Sequence, residues 1–254
     1  MTQRPGSGRS DHHLRNVLVW WVVLSVLAEI GWLVAGPLLM PAAASSDAVF
    51  ANTTIVVFTA LAIPVALFVW VFMAYSLIRF RVKSRPSEAG PHLVASNGQQ
   101  IAWLGITGAL CLFLVIWGLF GMYQASTDPP GRPLIVDVTA QQWTWTFRYP
   151  SAGVSSNQLV LPVGRPVEFE VTSLDVVHGF DVHAFSVRLD ANPGSVIATN
   201  IVTPTRLGSF SVRCVELCGL YHAYMWAPVK VVSDQDFAAW LRDAAQGSRG
   251  GAGA

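Results

Sequence analysis

Charge and cysteine are scarce in this chain of 254 residues, and the scarcity argues against several kinds of protein. Aspartate, glutamate, lysine and arginine make up 12% of the sequence, about half the usual share, which argues against an ordinary soluble protein. The net charge is only +1 and no basic run with interleaved aromatic residues is present, so nucleic acid is not a predicted partner. Cysteine occurs three times and never in a CxxCH motif, so no covalently attached haem is predicted.

Apolar residues, by contrast, reach 52% and are concentrated in three long runs in the first half of the chain. The runs cover about 17–39, 49–80 and 101–123, and each is long enough for a helix, which needs about 20 residues to cross the hydrocarbon core. We therefore predict a helical membrane region over 17–128, in contact with lipid, after a basic leader at 1–16.

Basic residues set the orientation of these runs. The loop between the second and third runs contains Arg79, Arg81, Lys83 and Arg85, and the positive-inside rule places such a loop in the cytoplasm. Everything after Tyr123 then lies outside. We expect a multi-pass protein of the cell membrane whose second half faces the outer, periplasmic side.

The first run has a second interpretation. The residues that follow it, "MPAAASS", resemble the cleavage site of a signal peptide, with cleavage after Ala44. Against cleavage, the run is longer than a usual signal core, and Glu29 interrupts it. A retained helix and a removed signal peptide both stay open, and both predict the same topology for the rest of the chain.

The second half has the pattern of a soluble β domain. Over about 129–233, short runs rich in valine, threonine and aromatic residues alternate with proline and glycine, which predicts an antiparallel sandwich or barrel. Residues 234–254 are predicted to form a short helix, capped by Ser233 or Asp234, and then a flexible tail from Gly247.

The stretch "CVELCGLYHAYM", from Cys214 to Met225, holds an unusual group of side chains. In an oxidising compartment a cysteine pair predicts a disulfide. A bridge from Cys214 to Cys218 would enclose few residues, would stabilise weakly, and would leave His222 and Met225 without a role. Thiolate, thioether and imidazole together suit copper, and two thiolates can bridge two copper ions. Zinc in a Cys2His2 site fits the spacing too, but it gives Met225 no role.

A dinuclear copper site needs a second imidazole from an upstream strand. The segment "SLDVVHGFDVHAF" offers His178 and His183, and the residues alone do not decide between them. For the remaining weak ligand, a backbone carbonyl inside the loop is available, and Glu216, between the cysteines, is the natural donor.

These segments resemble subunit II of the haem-copper oxidases, the cytochrome c oxidase family. The loop is similar to the CuA loop of that family at every ligand position, and "SLDVVHGF" resembles the segment that brings its first histidine, His178. "QQWTWTF" resembles its aromatic segment next to the electron donor, and "RLDANPG" matches its acidic turn. Over roughly 50–232 the resemblance implies a two-helix membrane hairpin followed by an all-β cupredoxin sandwich, and the first run adds an N-terminal helix.

The resemblance also implies a set of copper ligands for a two-copper CuA centre: His178, Cys214, Glu216, Cys218, His222 and Met225. Both cysteines would bridge the coppers, the histidines would be terminal ligands, and the methionine and the Glu216 carbonyl would be weak ligands. The Glu216 carboxylate would also help to hold a magnesium or manganese ion shared with catalytic subunit I. Trp143 would receive the electron, whereas Trp145 is interpreted as a packing residue.

The implied function is electron transfer within a respiratory terminal oxidase. Electrons would pass from a cytochrome c-like donor to CuA, and then to the haems of subunit I, where O2 is reduced to water. The chain itself would carry electrons and do no O2 chemistry, and other oxidase subunits would surround it. Two alternatives stay open, the CuA subunit of a nitric oxide reductase and a membrane-anchored copper carrier, although a carrier needs neither Glu216 nor Trp143.

Two positions depart from the family pattern. Gln100 stands where many of its chains carry a glutamate linked to a proton path, and Thr144 replaces the usual tyrosine. An amide cannot shuttle a proton by ionising, so either the path lies elsewhere or the chain belongs to a divergent branch. Gln100 also slightly favours the nitric oxide reductase alternative.

Overall fold

A computed structural model of the chain describes residues 7–81, 96–127, 129, 131–199 and 201–250, with the backbone alone at 7–11 and 247–250. Several predicted features lie outside the described residues: residues 1–6 of the basic leader, Lys83 and Arg85 of the cytoplasmic loop, and the end of the tail. The chain divides into two compact units, one formed by Met1–Met40 and Thr53–Trp117, the other by Pro41–Asn52 and Gly118–Ala254.

Three long apolar helices occupy the first half, as predicted: α1 Ser7–Leu39, α2 Ser46–Arg79 and α3 Asn97–Ala125. Each is long and apolar enough to cross a membrane. Large apolar side chains are exposed along all three helices, and α3 buries no residue, as expected of helices surrounded by lipid.

The start of α3 is set by a capping box that the hydrophobic pattern does not reveal. The Ser96 Oγ accepts the Gln99 backbone N–H at 3.3 Å, and the Gln99 Oε1 accepts the Ser96 N–H at 2.9 Å. This reciprocal pair satisfies two backbone donors at the helix end, so α3 begins one turn before the predicted Ile101. In the same way Ser45 caps α2, since its Oγ accepts the Ala48 N–H at 3.1 Å.

Tryptophan side chains join the helices of the first unit. The Trp32 indole N–H donates to the Val56 carbonyl at 2.9 Å, and the Trp21 indole N–H donates to the Pro64 carbonyl at 2.8 Å. Both bonds join α1 to α2. These two indole N–H groups are thereby paired inside the protein, where lipid offers no partner.

The second half is a sandwich of two five-stranded sheets, ordered β3-β2-β1-β5-β8 and β4-β10-β9-β6-β7. Its strands are β1 Leu134–Gln141, β2 Thr144–Tyr149, β3 Val154–Ser156, β4 Leu159–Pro162, β5 Val167–Ser173, β6 His178–Val182, β7 Val187–Ala191, β8 Ile197–Ala198, β9 Gly208–Cys214 and β10 Trp226–Val232. The predicted sandwich is confirmed, but the purely antiparallel arrangement is wrong. The pairs β1–β5 and β4–β10 are parallel, because the chain changes sheet between the paired strands.

The core lies between the inner faces of the two sheets, because side chains alternate along each strand. In β1, Leu134, Val136, Val138 and Ala140 are buried while the residues between them are half-buried. The neighbouring order β10-β9-β6 brings the end of β9 beside the start of β6, where Phe180 pairs with Cys214. Three strand ends therefore meet at one end of the second sheet.

The final helix, α4, runs from Asp234 to Gly250. Ser233 is its cap, since its Oγ accepts the Asp236 N–H at 3.1 Å. Phe237 is buried in the sandwich core. The sequence predicts a flexible tail from Gly247, whereas α4 extends through 247–250 in the structure.

A short segment before α2 is built into the sandwich unit. The Ala44 N–H donates to the Ala184 carbonyl at 2.7 Å, and the Ala44 carbonyl accepts the Thr205 N–H at 2.8 Å. Ala44 and Ser45 are fully buried, and the Ser45 hydroxyl donates to the Phe185 carbonyl at 2.8 Å. We call residues 41–46 the strap, because they tie the start of α2 to the β domain.

Candidate metal centre

Two buried cysteines lie close together without forming a disulfide. Cys214 ends β9 and Cys218 lies in the following loop, and both are free. Their sulfurs are 3.6 Å apart, whereas a disulfide requires about 2.05 Å. The pair therefore presents two free sulfur donors to one small volume.

His178 brings an imidazole to these sulfurs from the first position of β6. Its side chain is fully buried, and its Nδ1 lies 3.9 Å from the Cys214 Sγ and 3.1 Å from the Met225 Sδ. Its other nitrogen, Nε2, lies 2.9 Å from an oxygen of the Asp175 carboxylate, which can only accept a hydrogen bond. This bond favours the tautomer with the proton on Nε2 and leaves the Nδ1 lone pair facing the sulfurs.

The loop folds back on itself to bring two more donors. His222 starts a short 3-10 helix, His222–Tyr224, and its Nδ1 lies 3.6 Å from the Cys218 Sγ. Met225 follows directly, with its Sδ 3.7 Å from the same sulfur and with 1% of the residue exposed. The loop is closed where the Cys214 N–H donates to the Met225 carbonyl at 3.0 Å.

The backbone carbonyl of Glu216 and the rest of the residue have different environments. Its carbonyl oxygen lies 3.2 Å from the Cys214 Sγ, inside the group of donors, while the residue as a whole is exposed. A small residue on β6 permits this path of the loop. A Cβ on Gly179 would lie 2.7 Å from the Val215 side chain and 2.9 Å from the Glu216 backbone nitrogen.

The structure thus brings together all six residues that the sequence analysis proposed as ligands. Ligand atoms of His178, Cys214 and Cys218 lie within 4.8 Å of one another, and all three residues are buried. His183 is not part of the group: it begins a separate 3-10 helix, and 71% of its side chain is exposed. Gln100 lies in the first turn of α3, in the other compact unit.

Burial and hydrogen bonding shift two acids at this site. Burial, and then the neighbouring Cys214 thiol, raise the pKa of Cys218 to about 12, so its thiol is protonated at neutral pH in the metal-free protein. Burial acts to raise the pKa of Asp175 as well. The hydrogen bond with His178 and those from the backbone N–H groups of Gln142 and Val176 outweigh it, and the pKa of Asp175 falls to about 2.

The two tryptophans of "QQWTWTF" have different environments. Trp143 is half-buried and packs edge to face against Tyr221, with ring centroids 4.8 Å apart. Trp145 is 1% exposed and lies in the core, with its ring centroid 5.6 Å from that of Phe180 and 6.1 Å from that of His178. Packing, the role expected for Trp145, agrees with this position.

Three residues around the site escaped the sequence analysis. The Gln142 side-chain amide donates to the Cys218 carbonyl at 2.7 Å, and its backbone N–H donates to the second Asp175 oxygen, also at 2.7 Å. Gly179 provides space for the loop. Only Asp175, three residues before His178, had a local signal, since the acid lies in the same short segment as the histidine.

The loop also exposes large apolar side chains to the surface of the unit. Leu217 is 81% exposed, Leu220 is 82% exposed and Tyr224 is 76% exposed. Such a concentration on a β domain is typical of a surface that another molecule covers.

Comparison with known proteins gives consistent results. The sequence matches the family described as cytochrome c oxidase subunit II, periplasmic domain, over residues 153–232, which include all six candidate ligands. The heme-copper oxidase subunit 2 of Aeropyrum pernix is 32% identical over 195 residues, which cover 71% of this chain and 83% of that protein. The cytochrome c oxidase subunit 2 of Thermostichus vulcanus is 40% identical over 120 residues, which cover 46% of this chain and 36% of that protein. The crystal structure of the periplasmic domain of cytochrome oxidase subunit II from Bradyrhizobium japonicum is 32% identical, with a TM-score of 0.44, and the match covers 46% of this chain and 96% of that one.

Proposed function

This chain belongs to the subunit II family of the haem-copper oxidases, with a membrane anchor and a cupredoxin-like sandwich, and we propose that it is the electron-transfer subunit of a respiratory terminal oxidase. One observation carries the proposal. Two free cysteine sulfurs and a histidine nitrogen converge within 4.8 Å in a buried site. A cysteine pair in an outer compartment otherwise forms a disulfide, so this geometry favours metal binding.

The residues fit a dinuclear copper centre. Thiolate, thioether and imidazole donors bind copper better than they bind harder ions. The site offers two cysteine sulfurs, one methionine sulfur and two histidine imidazoles. We assign as ligands His178, Cys214, Glu216 through its carbonyl, Cys218, His222 and Met225. Because the Cys218 thiol is protonated in the metal-free chain, copper binding must release its proton. When bound, such a centre supplies reversible one-electron storage.

The surrounding protein favours electron transfer over bond chemistry. Three donors lie at the ends of strands, with His178 opening β6, Cys214 closing β9 and Met225 preceding β10. Strand ends fix these side chains before any metal binds. The side-chain donors of Cys214, Cys218, His178 and Met225 are all buried, which suits a centre that passes electrons without contacting a substrate. O2 reduction is therefore assigned to the catalytic subunit.

We assign Trp143 as the residue that receives the electron. Trp143 is half-buried, so part of the residue is accessible to a donor, and its neighbour Gln142 is hydrogen-bonded to the Cys218 carbonyl. That bond connects the tryptophan segment to a proposed ligand. A cytochrome c-like protein is the proposed donor, because the Thermostichus vulcanus relative is a cytochrome c oxidase subunit 2.

The exposed side of the loop is assigned to contacts with other chains. Glu216 is exposed as a residue while its carbonyl faces the cysteines, so one residue can serve both the copper centre and, through its carboxylate, a magnesium or manganese ion at catalytic subunit I. The exposed Leu217 and Leu220 are apolar surface that a neighbouring subunit or the donor covers on docking.

Retention of α1 is the second part of the proposal. Cleavage after Ala44 would remove two buried backbone hydrogen bonds and leave the fully buried Ser45 as a charged chain terminus. A buried charge without a counter-ion is strongly unfavourable. Sequencing the N-terminus of the chain purified from membranes tests this: we expect a start before α1, and a start at Ser45 would contradict it.

Electron transfer is tested by single-turnover reduction of the copper-loaded full chain in detergent. Reduced cytochrome c should reduce the wild type, and Trp143→Phe should slow that reduction while leaving the copper spectrum intact. Trp240→Phe, on α4, is the matched control and should react as the wild type does. A wild type that accepts no electron would refute the function, whereas an unchanged rate in Trp143→Phe would remove only this residue from the path.

A further inference from the structure

Asp175 contacts two parts of the site at once. It lies in the turn between β5 and β6, and each carboxylate oxygen has its own partner. Oδ1 accepts the Nε2–H of His178 at 2.9 Å, while Oδ2 accepts the backbone N–H of Gln142 at 2.7 Å. One carboxylate therefore joins a proposed copper ligand to the residue that precedes Trp143.

The carboxylate is itself held in place by its own turn. Oδ1 accepts the Val176 N–H at 2.7 Å and lies 3.2 Å from the Ser173 hydroxyl. The Asp175 backbone N–H donates to the same hydroxyl at 3.2 Å. These local bonds fix the side-chain rotamer, so the two long-range bonds require little additional ordering of Asp175.

A second bond holds the tryptophan segment from the other side. The Gln142 amide donates to the Cys218 carbonyl, and Gly219 lies directly against this contact. A Cβ on Gly219 would lie 3.0 Å from the Gln142 Nε2 and 3.4 Å from the Trp143 Cζ2, and the glycine has a φ of +119°. The segment Gln142–Trp143 is thus attached to the metal loop and, through Asp175, to His178.

We propose that Asp175 is a positioning residue, which aims the His178 Nδ1 at the metal and locks the Trp143 segment to that same ligand. This inference rests on the proposed function, because it concerns the route by which the electron reaches the ligands. Its competitor is the ordinary role of an exposed acid, attraction of a basic donor by charge alone. The two roles differ in one respect: charge acts only on an approaching donor, whereas positioning alters the protein without one.

The sharpest variant is Asp175→Asn, which preserves shape and removes one acceptor. Because His178 and Gln142 bind different carboxylate oxygens, the single oxygen of an asparagine can face only one of these two donors, and its NH2 group faces the other. At the second contact the asparagine NH2 group would face another N–H donor, so that hydrogen bond would be lost. The matched control is Asp190→Asn, which removes the same charge from an exposed position on β7.

The first measurement needs neither copper nor donor. Nitrogen-15 chemical shifts of the His178 ring in the metal-free full chain report which ring nitrogen carries the proton. We expect the Nε2–H tautomer in the wild type and in Asp190→Asn, and loss of that preference in Asp175→Asn. Wild-type ring shifts in Asp175→Asn would overturn the positioning role.

The second measurement follows copper affinity and reduction by cytochrome c at low and high salt. We expect Asp175→Asn to bind copper about 10- to 100-fold more weakly, as is typical when the partner of a ligating histidine is lost. At high salt, where charge attraction is screened, the variant should still be reduced more slowly than the wild type at the same salt concentration. If Asp175→Asn were reduced as fast as the wild type at the same high salt concentration and bound copper equally well, the charge role would be established and the proposal overturned.

A third variant keeps the test decisive if Asp175→Asn fails to fold. Gln142→Leu removes only the side-chain bond to Cys218 and leaves His178 and Asp175 unchanged. It should keep the wild-type copper spectrum and yet be reduced slowly at every salt concentration, and a wild-type rate would overturn the proposed attachment of the segment. A wild-type chain without a dinuclear copper spectrum would refute the proposed function itself, which is a distinct outcome.

Discussion

The two ends of β6 differ in how the buried polar groups near them find partners. Where the strand ends, the strap supplies Ala44 and Ser45, and the Ala44 N–H, the Ala44 carbonyl and the Ser45 hydroxyl each have a partner within the chain. Where the strand begins, His178 directs its Nδ1 at sulfur atoms, and the nearby loop exposes Leu217 and Leu220. At the strap end these groups are paired within the chain, whereas at the loop end we propose that a metal and other molecules complete the donor atoms and the exposed apolar side chains.

The largest effect is expected from removing a sulfur at the loop end. Cys218→Ser replaces a soft donor with a hard hydroxyl, so the full chain should lose the dinuclear copper spectrum and bind fewer copper ions. Cys111→Ser is the control, because Cys111 is a free, exposed cysteine on α3. Copper content and visible absorption measure both variants. A dinuclear spectrum that survives in Cys218→Ser would show that this sulfur does not bridge the metals.

At the strap end, stability should suffer and copper should not. Ser45→Ala removes the cap of α2 and leaves the buried Phe185 carbonyl without its hydroxyl donor, for an expected cost of about 1–3 kcal/mol. Ser46→Ala, at the exposed neighbour, should change stability by less than about 0.5 kcal/mol. Denaturant unfolding followed by near-UV circular dichroism measures both. Equal stability of the two variants would contradict the account of the strap.

The smallest effect on stability is expected at the exposed apolar side chains. Leu220→Ser removes a side chain that is 82% exposed and makes no core contact, so its stability should stay within about 0.5 kcal/mol of the wild type. Its copper spectrum should also be unchanged. Recovery of the catalytic subunit with the purified chain should fall, because apolar surface that another subunit covers is lost. A large loss of stability with full recovery of the subunit would reverse this interpretation.

The residues predicted from the sequence are those whose role depends on their own chemistry and on short spacing. Cys214, Cys218, His222 and Met225 lie in one loop, so their meeting follows from local chain geometry. Long apolar runs likewise predict the three helices, since length and composition decide that structure.

The missed features depend on contacts between distant parts of the chain. Asp175 bonds to Gln142 across 33 residues, and Ser45 bonds to Phe185 across 140 residues. Neither pair has a local pattern, since each requires the sandwich to be folded first. The parallel pairs β1–β5 and β4–β10 were missed for the same reason, because alternation of side chains gives a strand but not the direction of its neighbour.

The central claim is that the loop end of β6 holds two copper ions that share one electron. Electron paramagnetic resonance of the copper-loaded full chain in detergent, combined with its copper content, tests this directly. We predict two coppers per chain and a hyperfine pattern from one unpaired electron spread equally over two copper nuclei. One copper per chain, with the hyperfine pattern of a single nucleus, would contradict the account.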